Sequence, residues 1–313
     1  MSKQYPLLFV QRFKGRILFN EPMRNHTSFR IGGPADVMAF PLDEGDLAEL
    51  LKFARAKKFP VCIIGAGTNV LVRDGGVRGV VVNMMDGFRD MAWSDAPAGE
   101  RGRTVLVAGS GVKLQEIAAA ARERGLTGLE FSAGIPGTIG GAVATNAGAY
   151  GSEIKDIVDG VELVRLSGRK IAKEFIPAGE LGFSYRSARI PDDAVIVRVH
   201  MTLEKGDPER IRERMAAFAE RRRSSAPVRH PCAGSIFKNP PGDHAGRLIE
   251  EAGLKGTASG GARIWEVHAN YIINTGGALA RDVLSLMAMA RDRVYRNSGV
   301  VLEPEIRVIG EDD

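Results

Sequence analysis

Cysteine and aromatic residues are scarce: the 313 residues include 2 cysteines, and Phe, Trp and Tyr make up 6%. Cys62 and Cys232 lie far apart without CxxC spacing, which argues against a disulfide framework or a thiolate metal site and fits a reducing cytoplasm. No apolar run approaches the ~20 residues that cross a bilayer. The opening Met1-Ser-Lys-Gln-Tyr-Pro has no long apolar region of the signal-peptide kind. His26, His200, His230, His244 and His268 show no paired-ligand spacing, so no metal site is expected.

Apolar residues at 44% and charged residues at 26% describe a soluble globular protein, long enough for about two domains. The net charge of +5 admits a nucleic-acid or an anionic small-molecule partner. Its densest part is Arg210, Arg212, Arg214, Arg221, Arg222, Arg223 and Arg229. Glu209, Glu213 and Glu220 alternate with much of it, as on a solvated helix face, and no aromatic interleaves it for base stacking. Nucleic acid is therefore not expected, and the end from Arg221 to Arg229, Arg223 included, is left as a candidate for substrate phosphates.

Apolar periodicity predicts a helix over 43–58, with Leu47, Leu50, Leu51 and Ala54 on one face, and another over 114–124 stopped by Gly125. Strands are predicted at 61–64, 79–83, 104–108, 159–166 and 194–203. Gly206-Asp-Pro-Glu209 reads as a domain junction, with proline at a helix's first position. Beyond it come a basic helix to about Arg223, a short helix near 245–253, a strand at 271–274, a helix over 280–297 and a terminal strand at 300–309. In the 280–297 helix, Val283, Leu284, Met287, Met289, Ala290 and Val294 are read as core.

The most informative segment runs from Ser132 to Gly151 and contains Gly134, Gly137, Gly140, Gly141, Gly148 and Gly151. Glycine permits positive φ and lets backbone approach a ligand without an intervening Cβ, at an entropic cost. A second glycine turn, Gly65-Ala-Gly-Thr-Asn69, follows the apolar run Val61–Ile64. Two such walls from distant parts of the chain make a cleft suited to a dinucleotide. No G-x-x-x-x-G-K-[ST] P-loop occurs. The Gly65 turn begins like a Rossmann fingerprint but has Val70 at the third glycine and no helix signal after it. Backbone N–H groups of a glycine turn, acting as an anion nest, are the expected hold on a pyrophosphate.

Several segments together resemble the UDP-N-acetylenolpyruvoylglucosamine reductase (MurB) family: Asn20-Glu-Pro-Met-Arg-Asn-His-Thr-Ser-Phe-Arg-Ile-Gly-Gly-Pro-Ala-Asp36, Ile64–Asn69, Ala133–Ala142, Ser184-Tyr-Arg186, Ala233–Pro240, His268–Asn274 and Leu302–Arg307. The resemblance covers almost the whole chain, and with no insertion for a long tyrosine-bearing lid it points to the shorter subtype. It implies an α+β protein: an FAD-binding fold of the vanillyl-alcohol-oxidase (PCMH) type in two subdomains, about 20–84 and 85–205 within 1–205. A C-terminal α+β substrate-binding domain over 206–313 is implied to follow. Implied contacts to non-covalent FAD are Arg30, Gly32, Gly65, Ala66, Gly67, Thr68, Asn69, Gly134, Pro136, Gly137, Thr138, Gly140, Gly141, Asn146 and Ala147.

The implied reaction is NADPH-dependent reduction of a UDP-sugar enolpyruvyl ether to a lactyl ether, in a cytoplasmic enzyme of peptidoglycan precursor synthesis. Arg186 is the candidate for stabilising the developing enolate, Ser235 for donating the proton, and Glu305 for polarising the enol ether or keeping the proton relay. Tyr185, Lys238, Asn239 and Arg223 are the substrate candidates. Two alternatives stay open at this point: a flavin oxidase of the same fold on another substrate, and an inactive FAD-binding sensor.

Overall fold

The computed structural model describes residues 12–96, 102–167 and 170–312; the opening segment examined for a signal peptide lies outside them. The chain forms two compact units, each assembled from separate stretches. Of the described residues, the first comprises those up to Leu18, Met38–Ala66 and Gly79–Glu220; the second comprises Phe19–Val37, Gly67–Arg78 and those from Arg221 onward. The sequence reading placed one junction at Gly206–Glu209, whereas the division here falls inside the helix Pro208–Ser225 and within the strands Arg16–Pro22, Pro34–Phe40 and Val77–Asn83.

The first unit is built on an antiparallel sheet. In spatial order it runs Lys170–Pro177, Val158–Ser167, Ala194–Lys205, Arg103–Gly109 and Met91–Asp95, and Leu126–Thr127 also pairs with Ala194–Lys205. Period-two alternation sends Val199, Met201 and Leu203 inward while Arg198, His200 and Thr202 stay partly exposed. Val199 pairs with Val161 on one side and Ala108 on the other, so one apolar row crosses the sheet. The helix Leu114–Glu123 contributes Leu114, Ile117, Ala118 and Ala121 to the same core, and Gly125 follows it at φ +65°. The strand Lys170–Pro177 had no sequence signal. It lies at the sheet edge, where Lys173 and the half-exposed Phe175 break the apolar alternation.

Two elements lead into the first glycine turn. The helix Glu44–Ala56 starts where the Asp43 carboxylate accepts from the Asp46 N–H at 2.8 Å, and it buries Leu47, Leu50, Leu51 and Ala54 as expected. The strand Val61–Ile64 then pairs in parallel with Val80–Asn83, delivering Gly65 at its end.

The second unit has a core of its own around Phe29, Leu71, Phe237, Leu248 and Ile272. Its long helix, Ala280–Ser298, adds Val283, Leu286, Met287, Ala290 and Val294, while Leu284 and Met289 are only partly buried. The Asp74 carboxylate receives the N–H groups of Ala280 at 2.7 Å and Arg281 at 3.0 Å, capping that helix from a distant part of the sequence. Regular structure in the predicted terminal strand is confined to Arg307–Ile309, parallel to Val70–Val72. Pro304 has no N–H to donate, and it forms an isolated bridge with Phe237 instead. Among the described residues no helix is long and apolar enough to cross a membrane.

Candidate active site

The Ser132–Gly151 run is not the continuous loop its glycines suggested. Ile139–Ala144 forms a short helix, capped by Thr138, whose hydroxyl accepts from the Gly141 N–H at 3.4 Å. The first amides of this helix are already engaged: Ile139 N–H donates to Val112 at 2.9 Å and Gly140 N–H to Ser110 at 2.9 Å. The helix end therefore offers little to a phosphate. Among the described residues, the N–H groups of Ala66, in the first glycine turn, and of Gly137, in the loop just before this helix, have no acceptor. Gly137 adopts φ +134°, a conformation that favours glycine.

Gly65 lies directly against this cap: a Cβ there would come 3.1 Å from Thr138 Cγ2 and overlap the hydroxyl oxygen. Such bare, close-packed backbone with unengaged N–H donors fits a dinucleotide pyrophosphate. Gly65, Ala66, Gly134, Pro136, Gly137, Thr138, Gly140, Gly141 and Ala147, the FAD candidates of the first unit, lie in these two segments. Asn146 acts differently. It is wholly buried, its Nδ2 donates to Glu153 Oε2 at 3.0 Å and to the Ser184 carbonyl at 2.9 Å, and its Oδ1 accepts from Lys155 N–H at 3.2 Å. Its side chain braces the Arg186 turn.

That turn is tight: Ser184 and Ser187 exchange N–H···O bonds of 3.0 and 3.1 Å across Tyr185 and Arg186. Arg186 occupies the left-handed region at φ +57°, a conformation costing an ordinary residue roughly 1–2 kcal/mol. Its Nη2 donates to the Gly148 carbonyl at 3.0 Å, its Nη1 lies 3.8 Å from Glu153 Oε1, and its guanidinium sits 4.9 Å from the ring centroid of Tyr185. Glu153 carried no sequence signal as a site residue; its place opposite Gly148 in a small hairpin was the only route to it.

The second unit assembles the other candidates. Ser235 follows Gly234, which is at φ +81°. The segment after Ser235 is held on both sides. Ile236 N–H donates to the Asn270 carbonyl at 2.8 Å, and the buried Asn270 side chain clamps Phe237 through its N–H (2.9 Å) and its carbonyl (2.8 Å). On the opposite side Glu305 N–H donates to the Ile236 carbonyl at 2.8 Å and Lys238 N–H to the Glu303 carbonyl at 2.9 Å. Ser235 and Glu305 are thus carried by adjoining, hydrogen-bonded backbone. Within the same unit Asn69 is tied to this segment: its Nδ2 donates to the Glu305 carbonyl at 3.1 Å and its carbonyl accepts from Arg307 N–H at 2.9 Å.

The remaining assignments divide. Gly67, at φ +62°, leaves no room for a Cβ against the His26 carbonyl, and Gly32, at φ +136°, lies against Val72. Arg30 is exposed and has φ +54°. Lys238 Nζ approaches the exposed Glu303 carboxylate at 3.6 Å, a pairing of small energetic weight. Asn239 Oδ1 accepts from the Ala245 N–H at 3.1 Å, fastening the start of the helix Ala245–Glu251. Arg223 is exposed at the end of the basic helix, whereas Arg222 is half-buried and its charge reaches Cys232 and His268. Burial pushes the Cys232 thiol up and the His268 imidazole down from their usual pKa values.

The strand-to-glycine turn and the second glycine segment packed on it lie within residues 35–171, which match an FAD-binding domain model, and the class is that of a flavin-dependent oxidoreductase. Residues 226–309 match the model of the UDP-N-acetylenolpyruvoylglucosamine reductase C-terminal domain. The UDP-N-acetylenolpyruvoylglucosamine reductase of Anaeromyxobacter sp. (strain Fw109-5) is 47% identical over 301 residues, covering 96% of this chain and 91% of that one. The protein of the same name from Caldanaerobacter subterraneus subsp. tengcongensis is 43% identical, covering 95% of both chains. The crystal structure of the Thermus caldophilus enzyme aligns with a TM-score of 0.76 at 33% identity, over 95% of this chain and 99% of that one. The chain belongs to the UDP-N-acetylenolpyruvoylglucosamine reductase family.

Proposed function

We propose that Arg186, Ser235 and Glu305 carry out the chain's reaction, the NADPH-dependent reduction of UDP-N-acetylglucosamine enolpyruvate to UDP-N-acetylmuramate in peptidoglycan precursor synthesis. Bound FAD supplies the hydride relay between nicotinamide and the substrate's methylene carbon. Arg186 grips the substrate carboxylate through the planar guanidinium fork. Negative charge grows on that carboxylate and its neighbouring carbon as hydride arrives, so this contact strengthens toward the transition state. Ser235 delivers its hydroxyl proton to the enolate carbon, a strong base, and Lys238 steadies the alkoxide that remains. Glu305 polarises the enol ether and keeps the proton relay supplied. Tyr185, Asn239 and Arg223 bind substrate.

The observation carrying this reading is the hydrogen bond from Glu305 N–H to the Ile236 carbonyl, 2.8 Å, which puts the proposed proton donor and carboxylate on adjoining backbone in a chain of this family. In this proposal 1–205 is the FAD-binding region, which also supplies Tyr185 and Arg186 to the substrate, and 206–313 is the C-terminal substrate-binding domain. A cytoplasmic location is part of it, supported by two free cysteines, Cys62 and Cys232. The test is the visible spectrum of the pure protein: NADPH bleaches the flavin bands, and the enolpyruvyl sugar restores them without oxygen. Bleaching with no anaerobic recovery rules the substrate assignment out.

A further inference from the structure

Gly148–Ala149 and Ser152–Glu153 form a two-stranded hairpin in which Glu153 pairs with Gly148 and Ser152 with Ala149. Tyr150 and Gly151 make its turn at φ +57° and +86°. The Tyr150 ring stacks on Phe218 at 4.5 Å and its hydroxyl donates to the Phe218 carbonyl at 3.2 Å, fixing the hairpin in place. One register pair of this hairpin then meets both ends of a single guanidinium: the Gly148 carbonyl accepts from Arg186 Nη2, and Glu153 Oε1 lies 3.8 Å from Nη1.

The second Glu153 oxygen is engaged as well. Oε2 accepts from Asn146 Nδ2, whose other contact is the Ser184 carbonyl at the base of the Arg186 turn. The carboxylate thus touches the guanidinium directly and the arginine's backbone through one buried amide. Both side chains, Glu153 and Arg186, are 20% exposed, so the contact is neither fully screened nor sealed. Lys155 Nζ lies 2.7 Å from the same Oε2. With Lys155 present, one glutamate is shared between two cations rather than spent on Arg186 alone, while Asp156 also acts on Lys155.

We propose that Glu153 is a positioning residue for Arg186: it holds the guanidinium against Gly148 and the strained turn against Asn146, so that the fork is set before the substrate carboxylate arrives. This rests on the reading of Arg186 as the anion stabiliser. A displacement of about 1 Å at such a group costs on the order of 10²-fold in rate.

The experiment uses FAD-loaded enzyme and times the two half-reactions separately, flavin reduction by NADPH and anaerobic reoxidation by the enolpyruvyl sugar. Binding of that sugar to the oxidised flavoprotein, read from the flavin absorbance, and the thermal midpoint are recorded alongside. Glu153→Ala should slow reoxidation by on the order of 10²-fold and weaken sugar binding, with NADPH reduction and the thermal midpoint little changed. Glu153→Gln, which keeps an acceptor for Asn146, should recover most of the loss. In an Arg186→Ala background, Glu153→Ala should have no further effect on reoxidation. Equal loss in both half-reactions, or additive loss in the double variant, overturns the proposal. Slow reoxidation in Arg186→Lys with a normal Glu153→Ala defeats the Glu153 role alone. Normal reoxidation in Arg186→Lys defeats the Arg186 reading and the Glu153 role with it.

Discussion

Gly65 and Thr138 are in contact: the start of the first glycine turn lies on the side chain that caps the helix in the second, with Thr138 Cγ2 3.1 Å from where a Gly65 Cβ would be. The two glycine-rich segments read from the sequence as walls of one cleft meet at this pair. Thr138 accepts from Gly141 N–H, and Gly140 packs on Ser110 through its missing side chain. Any atom added at Gly65 is therefore transmitted into the capped helix.

Gly65→Ala tests whether this contact shapes the flavin site. Overpacking of this kind costs about 1–3 kcal/mol, and displacing the turn should release FAD. The flavin dissociation constant, measured by fluorescence titration, should rise at least about tenfold, equivalent to 1.4 kcal/mol. Adding Thr138→Ala removes the overlapping hydroxyl and methyl and should recover part of the affinity, less the ~1 kcal/mol of a lost N-cap. Unchanged affinity in Gly65→Ala means that the contact has no bearing on the cofactor.

Arg186 sets stability against activity. Replacing it by glycine relieves the φ +57° strain, worth roughly 1–2 kcal/mol, which offsets the loss of the partly exposed pair with Glu153 and of the hydrogen bond to the Gly148 carbonyl. Arg186→Gly should therefore match or exceed the parent in thermal midpoint while failing to reoxidise with the enolpyruvyl sugar. Arg186→Lys keeps the charge without the fork, and should lose on the order of 10²–10³ in the same half-reaction. A clear fall in the midpoint of Arg186→Gly, with flavin retained, would mark the arginine as a structural ion-pair residue.

Much of this arrangement was legible in the sequence because local patterns express it. The helix starting after Asp43, the Val61–Ile64 strand and the Gly125 stop each follow from capping, apolar runs and glycine conformations acting within a few residues. Gly65, Ser235 and Glu305 stood out through motifs continuous in sequence. What escaped depends on partners far along the chain. Asp74 caps a helix that begins at Ala280, Asn69 holds the Glu305 carbonyl, and Asn146 bridges Glu153 to Ser184. Each is an ordinary polar residue with no periodic signature, so only tertiary structure reveals the use of its side chain. The missed helix at Ile139–Ala144 has a related cause: glycine disfavours helix locally, and the Thr138 cap with the Val112 and Ser110 carbonyls overrides it.

Ser235→Ala separates proton delivery from hydride uptake. As the proposed proton donor to the enolate, the Ser235 hydroxyl has no part in flavin reduction by NADPH, so that half-reaction should keep its rate. Reoxidation by the enolpyruvyl sugar should fall by ~10²–10⁴-fold, the range of a positioned general acid. Backbone hydrogen bonds at Ile236 and Phe237 do not involve the serine side chain, so the thermal midpoint should hold. Parallel loss in both half-reactions would remove Ser235 from the proton-donor role.

His268 gives the second unit an acid limit. Its Nδ1 accepts from the Asn270 N–H at 3.2 Å, and Asn270 in turn clamps Phe237. Burial foremost, with the charges of Lys255 and Arg222 acting the same way and Glu250 opposing them, lowers its pKa from the usual 6.5. Between the lowered folded value and 6.5 the unfolded chain binds more protons than the folded one, so stability rises with pH across that window. The contribution is complete above 6.5 and is lost as pH falls toward the folded pKa, where protonation also removes the acceptor for Asn270. His268→Asn offers an amide oxygen in place of Nδ1 and does not titrate. The acid side of its thermal midpoint against pH should be flatter than the parent's, with the two curves closest above 6.5. An equally steep acid limb in the variant would place the sensitivity at other groups and leave His268 as packing against Tyr271, whose ring centroid lies 5.2 Å away.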